Sequence, residues 1–377
     1  MNFDLTDERQ MLQDSLRRFL TDRYTTQVRN DILNSDTGYS TEIWAQLAEL
    51  GIIGALFTED QGGYGGAGFD IAVVFEELGR AGVVEPFLDS AVLGGGLIAA
   101  LGTEAQKTLL EQVIDGSLLL AFAHGEPASR YDLSHVQTTA TIQDDSIVLS
   151  GRKAVAVNAE AAGFLIVSAR ENGAVMDQDG ISLFLVPADT PGLSLRGYPL
   201  LAGGRAAEVE LDHVTLPASA RLGVAGQAYP VIAERAAAAS VALAAETLGA
   251  METATVLTRD YLQTRQQFGR PIGSFQALQH RMADLLIELE QARSAVINAA
   301  GHLEGEPHQR DLHIAAARNL VARTGRLVSE ETIQLHGGIA MTQEYELAHI
   351  AKRITMAEHR FGDADHHLEQ FIDLSTA

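Results

Sequence analysis

Apolar residues recur with helical spacing from the start of the chain. Thr6 reads as an N-cap, and Met11, Leu12, Leu16, Phe19 and Leu20 follow as one stripe of an amphipathic helix. Ile43 to Leu50, stopped by Gly51, and Ile71 to Leu78, stopped by Gly79, read as further helices. Thr103 with Gln106 forms a capping box that opens another through Ile114. The pattern predicts a helical region over residues 1–115.

The period changes after Gly116. Val136 to Ile142, Ile147 to Leu149, Phe164 to Ser168, Ile181 to Val186 and Glu208 to Leu211 are short β-branched or alternating runs between Gly, Asp and Pro. They predict a compact all-β unit over 116–225. From Tyr229 the period returns to 3.6, with Ala- and Leu-rich segments at 231–266, 274–303, 311–335 and 344–373, which predict four long helices in a bundle over 226–377. The expected fold is therefore mainly α and multi-domain. Gln61 to Gly68 is glycine-rich but lacks the spacing of a dinucleotide fingerprint, and no phosphate-binding GxxxxGK[ST] occurs, so it reads as a loop.

Composition narrows the chemistry. With 50 Asp and Glu against 27 Lys and Arg, the net charge of −23 disfavours nucleic-acid binding. The absence of Cys excludes disulfides, thiol nucleophiles and thiolate metal sites. Only Lys107, Lys153 and Lys352 are lysines, so positive charge is mostly guanidinium. Met1 to Leu20 has neither the basic nor the apolar region of a signal peptide. The apolar run Ala236 to Ala245, interrupted by Glu246, is short of the roughly 20 residues of a membrane span. A cytoplasmic location, without membrane or nucleic-acid partners, is expected.

Two segments carry candidate binding chemistry. Arg265-Gln-Gln-Phe268-Gly269 closes one long helix, and Phe275-Gln276-Ala-Leu-Gln279 opens the next across Pro271 and Gly273. An Arg beside a helix start can hold a phosphate oxygen, with Phe268 under an aromatic base and Gln276 donating or accepting. Alone, the segment fits a plain helix-turn-helix corner with a surface Arg better. Farther on, Gln334-Leu-His336-Gly337-Gly338 ends a helix in a glycine pair that permits left-handed backbone and close approach of a ligand.

Together, these segments and the α, β, α organisation resemble the acyl-CoA dehydrogenase family over essentially the whole chain. The resemblance implies a helical N-terminal domain, a β-barrel-like middle domain and a C-terminal four-helix bundle. It also implies that Arg265, Phe268, Gln276, Gln334, Gly337 and Gly338 bind the ADP half of FAD across a dimer interface. Glu126-Pro127, Asp132, Thr138-Thr-Ala and Gly151-Arg-Lys153 match the family's middle segment. Ser129 to Leu133, Gly180 to Pro187, Phe275 to His280 and Phe361 to His367 look like the small subunit of pimeloyl-CoA-dehydrogenase-type enzymes. Relatives of that type act in dicarboxylate, steroid side-chain and ring catabolism, and many pair with an unlike chain, which implies a heteromer.

Acyl-CoA dehydrogenation needs a carboxylate to take the α-proton of the thioester while hydride leaves the β-carbon for the flavin. In this chain the two seats the family uses for that Glu hold Phe361 and Ala239. Ser240 replaces an Arg on the bundle helix, Val155 and Val157 replace an aromatic and a Thr, and Gly125 and Arg130-Tyr131 replace Thr and Gly-Ser. The leading expectation is one subunit of an α2β2 acyl-CoA dehydrogenase, lending its arm to FAD beside a partner that carries the catalytic Glu. The alternative is a self-sufficient homomeric enzyme with Glu246 as relocated base. Glu246 lies two turns beyond Ala239, about 10 Å along the same face, although pairing with an Arg between bundle helices is the commoner role for such a residue. A third reading is a non-catalytic regulatory or scaffold partner.

Arg130 and Tyr131 are substrate-proximal candidates, either filling a vestigial pocket or recognising a carboxylate or ring on the acyl tail. Asp363, Asp365, His366, His367 and His359 point in different directions on a helix, so no metal is expected. His124 and His336 border the ligand-facing turns and read as backbone-bonded or solvent-facing imidazoles. Electron-transfer flavoprotein is the acceptor the resemblance implies. Acyl chain identity is not legible in the sequence.

Overall fold

The computed structural model describes residues 5–376; Met1 to Asp4 and Ala377, which belong to the expected terminal domains, lie outside the described residues. The described chain falls into two compact units, one of residues 5–31, 67–83 and 240–376, the other of residues 32–66 and 84–239.

In the first unit, α1 (Asp7–Arg23) is capped by Thr6, whose hydroxyl accepts from the Arg9 N–H. It packs on α4 (Gly68–Ala81). The bundle comprises α8 (Tyr229–Thr264), which belongs to this unit from residue 240 on, α9 (Gln276–His302) and α10 (Pro307–His336), followed by α11 (Glu346–Ala357) and α12 (Ala364–Thr376). The expected fourth long helix is thus two, because the chain turns at Phe361 and Gly362, which both have positive φ. Gly79 does not end α4. It lies inside the helix, where an added Cβ would stand 1.9 Å from the Glu246 carbonyl oxygen, and the helix ends at Gly82 with φ +69°. A glycine chosen for close packing reads in sequence like a stop signal.

α2 (Thr26–Leu33) links the units. In the second unit, α3 (Thr41–Glu49), the short helices α5 (Gly96–Leu101), α6 (Glu104–Lys107) and α7 (Leu109–Ile114), and a π-helical segment at 87–95 accompany one mixed sheet. The capping box of Thr103 and Gln106 forms, but the helix it opens breaks at Thr108. Gly62 to Ala67 form a loop as expected, but Gly68, expected to close it, is the first residue of α4 and Gln61 ends a 3-10 turn. Gly63 is required for the close packing of the loop. An added Cβ at Gly63 would come within 2.3 Å of two carbonyl oxygens.

The strands are β1 (Leu120–Ala123), β2 (Thr139–Gln143), β3 (Ser146–Val157), β4 (Phe164–Arg170), β5 (Ile181–Pro187), β6 (Leu193–Pro199), β7 (Arg205–Pro217) and β8 (Arg221–Leu222). Their order is β6-β7-β3-β2-β4-β5-β8, with β1 parallel to β4. Leu149, Leu165, Val167, Phe184, Val186, Val209 and Leu211 fill the core of this sheet. β3 and β7 shift register between Lys153 and Ala156, a bulge that turns Val155 outward with φ +54°.

Candidate functional site

The basic corner forms where α8 ends. Two-residue strands β9 (Gln266–Gln267) and β10 (Arg270–Pro271) pair antiparallel, leaving Phe268 and Gly269 at the tip with φ of 54° and 77°. Phe268 is 89% exposed. It meets Phe275 edge-on at 6.1 Å, and the Arg270 guanidinium covers the Phe275 ring at 4.2 Å. Gln276 is the first residue of α9.

The second segment is the end of α10. Gly337 has φ 69° and ψ −148°, a conformation essentially restricted to glycine. A Cβ added at Gly337 or Gly338 would meet nothing within 4 Å, so the space above this turn is open. The buried ring of His336 stacks on Tyr261 at 4.5 Å, and this contact joins the turn to the α8 corner. His336 Nδ1 donates to the Thr332 carbonyl at 2.9 Å and Nε2 meets the Tyr345 hydroxyl at 3.1 Å, while burial lowers its pKa. His336 therefore braces the site.

Arg265, Gln276 and Gln334 are exposed, and no side-chain hydrogen bond engages any of the three among the described residues. An unpaired guanidinium, two amides and open glycine peptides form a donor set suited to an anionic, hydrogen-bonding ligand such as the diphosphate half of FAD.

The positions considered in the sequence for an acid-base group look different. Phe361 stands between α11 and α12 with φ 57°. Its loop is held from below by the buried Arg318, whose Nη2 donates to the carbonyls of Arg360 at 2.7 Å, Ala357 at 3.2 Å and Gly362 at 3.3 Å. Ala239 is fully buried in an apolar turn of α8. Glu246 accepts from Arg353 of α11 at 2.7 Å, with both side chains largely buried.

In the sheet unit, Glu126 accepts from Lys153 Nζ at 2.7 Å, from the Thr138 hydroxyl at 2.7 Å, and from the N–H groups of Gln137 and Thr138 at 2.7 and 2.9 Å. Burial alone would raise its pKa, but the Lys153 charge and these donors bring it down. Burial pulls the Lys153 ammonium down to about 8 against the pull of Glu126. This pair pins the Glu126-Pro127 turn to β3. In the sequence both partners stand out only separately, as the Glu126-Pro127 and Gly151-Arg-Lys153 segments, and not as a pair. Arg130 is exposed, with φ 45°, and lies 5.9 Å from the Tyr131 ring. The Asp363 carboxylate accepts from the His366 N–H, and His367 bonds Gln370 and Arg318.

Three family descriptions cover the chain in order. "Acyl-CoA dehydrogenase, N-terminal domain" matches residues 6–117, the middle domain 121–214 and the C-terminal domain 227–372. The chain belongs to the acyl-CoA dehydrogenase family of FAD-dependent oxidoreductases. It is 30% identical to the probable acyl-CoA dehydrogenase YngJ of Bacillus subtilis (strain 168), with 95% of each chain covered. Butyryl-CoA dehydrogenase from Megasphaera elsdenii shares its fold with a TM-score of 0.91 at 28% identity, covering 100% of both chains. A steroid ACAD variant, Tcur3481-Tcur3483, is similar at 32% identity and TM-score 0.87, covering 98% of each. PigA in its FAD complex is similar at 25% identity and TM-score 0.91, covering 100% of this chain and 99% of that one. Among the described residues, no helix is long and apolar enough to cross a membrane.

Proposed function

We propose that this chain is one subunit of a heteromeric acyl-CoA dehydrogenase, holding the ADP half of FAD while an unlike partner supplies the carboxylate that takes the α-proton. One observation carries the reading. Of the three places considered for that base, one is an aromatic ring, one is a buried methyl, and the third, Glu246, is tied to Arg353. A carboxylate tied to a guanidinium is oriented toward that partner and away from other work.

In this reading Arg265 takes a phosphate oxygen, Gln276 and Gln334 orient the nucleotide, and the open peptides of Gly337 and Gly338 admit it closely. Phe268 offers its face to the base. When bound, FAD supplies the acceptor for the β-hydride. The exposure of every member of this arm suits a cofactor shared with a neighbouring subunit. The similarity to Tcur3481-Tcur3483, a steroid ACAD whose name joins two components, supports pairing with an unlike chain and a bulky acyl-CoA. The likeness to pimeloyl-CoA-dehydrogenase-type small subunits, electron-transfer flavoprotein as acceptor and a cytoplasmic location complete the proposal.

Expressed alone, the full chain is expected to carry little flavin absorbance and to reduce no dye with butyryl-CoA or with bulkier thioesters. Co-expression with an acyl-CoA dehydrogenase chain encoded beside it should restore both. A yellow, dye-reducing chain on its own overturns the proposal, and Glu246→Gln then shows whether that carboxylate is the base.

A further inference from the structure

Within the first compact unit, a cavity of about 330 Å³ opens where the α1–α2 turn meets the end of α4 and the start of α11. Arg29 of α2 lines it and is 6% exposed. Its Nε donates to the Gly82 carbonyl at 3.0 Å, and its terminal nitrogens bond nothing among the described residues. A Cβ on Gly82 would come 3.1 Å from that Nε, so glycine lets the guanidinium lie against the turn. Burial, and after it the charge of Arg353, draw the Arg29 pKa down to about 10. A buried guanidinium with free terminal donors is costly unless an anion meets it.

The other charged groups facing the cavity are Arg17, Arg80, Glu77 and Glu346. Arg17 and Arg80 both pair with Glu77, and Arg80 also pairs with Glu76 and Glu252. Glu346 accepts from the Thr26 hydroxyl at 2.9 Å. The lining thus holds one more guanidinium than carboxylates, in a chain whose net charge is −23. Thr25 and Thr26 bring the N-terminal, partially positive end of α2 to the same wall. Leu20, Ala81 and Ile350 supply apolar surface beside it.

We propose that this cavity binds a small organic monocarboxylate, its head on the Arg29 fork and its aliphatic body against Leu20, Ala81 and Ile350. A planar carboxylate matches the two terminal nitrogens of one guanidinium. The Arg29 charge, in no ion pair among the described residues, meets a monoanion, whereas Glu77 and Glu346 repel a dianion. The binding site is separate from the flavin-holding arm and does not rest on the heteromer reading.

The test is thermal melting of the full-length chain with butyrate, with butyramide and inorganic phosphate as comparison probes. Butyrate is expected to raise the melting temperature saturably, butyramide to do nothing, and folded Arg29→Gln to lose the butyrate response. Because Arg29→Gln also gives up the Gly82 bond, Glu346→Gln is the companion variant: it keeps Arg29, removes an opposing charge, and should tighten butyrate binding about three- to tenfold. An equal response to butyramide, a butyrate response preserved in Arg29→Gln, or unchanged or weaker binding in Glu346→Gln overturns the proposal. Stronger stabilisation by phosphate than by butyrate overturns the carboxylate class.

Discussion

Two histidines are held neutral by their surroundings. His367 Nε2 lies 3.3 Å from Arg318 Nε, which donates to it, while Nδ1 donates to Gln370 at 3.1 Å. His124 Nδ1 meets the Ser168 hydroxyl at 2.9 Å, and that hydroxyl already accepts from Lys153. Burial first, then the neighbouring Arg318 and Lys153 charges respectively, lower both pKa values to about 3. Between that value and the unfolded value near 6.5, the unfolded chain binds protons that the folded chain refuses. Stability should therefore be intact above pH 6.5 and fall as pH drops toward 3, by at most about 1.4 kcal/mol per pH unit per histidine. Denaturant midpoints measured across that range check it. His367→Gln, which can still accept from Arg318, should flatten the slope by one proton's share, and an unchanged slope would place the titration elsewhere.

At the scale of elements, the crossing of α4 and α8 stands out. An added Cβ at Gly79 would lie 1.9 Å from the Glu246 carbonyl, and one at Gly249 would lie 1.9 Å from the Glu76 carbonyl. Each helix is notched where the other's backbone passes. Gly79→Ala or Gly249→Ala should cost about 3 kcal/mol by urea denaturation, through overpacking against backbone that cannot rotate away. Gly269→Ala, with nothing within 4 Å but φ +77°, should cost only about 1 kcal/mol of backbone strain. Periodicity made α1, α8, α9 and α10 legible, along with most of the sheet. It could not show β1, whose four residues are all buried and so do not alternate, nor β6, which contains Gly197 and ends at Pro199. The 87–95 segment is buried on every side and offers no stripe to read.

For the molecule as a whole, exposure is the informative quantity. Phe268 keeps an aromatic ring 89% in solvent at a left-handed backbone position, with the edge-on contact to Phe275 as its ring partner. Phe268→Gly should leave the isolated chain as stable or slightly more so, while lowering the FAD content of the assembled enzyme; calorimetry and flavin absorbance on the same samples separate the two. The residues of the proposed arm could be singled out in the sequence because they form short runs with distinctive types. The bracing by His336, the Lys153–Glu126 pair and the Arg318 hold were not, since each joins residues distant in sequence. Arg318 grips the loop around Phe361 through the main-chain carbonyls of residues 357, 360 and 362. The frame of that loop is therefore indifferent to which side chain position 361 bears. In evolutionary terms, a lineage can exchange or regain a reactive group there by a single codon change, without rebuilding the scaffold that would aim it.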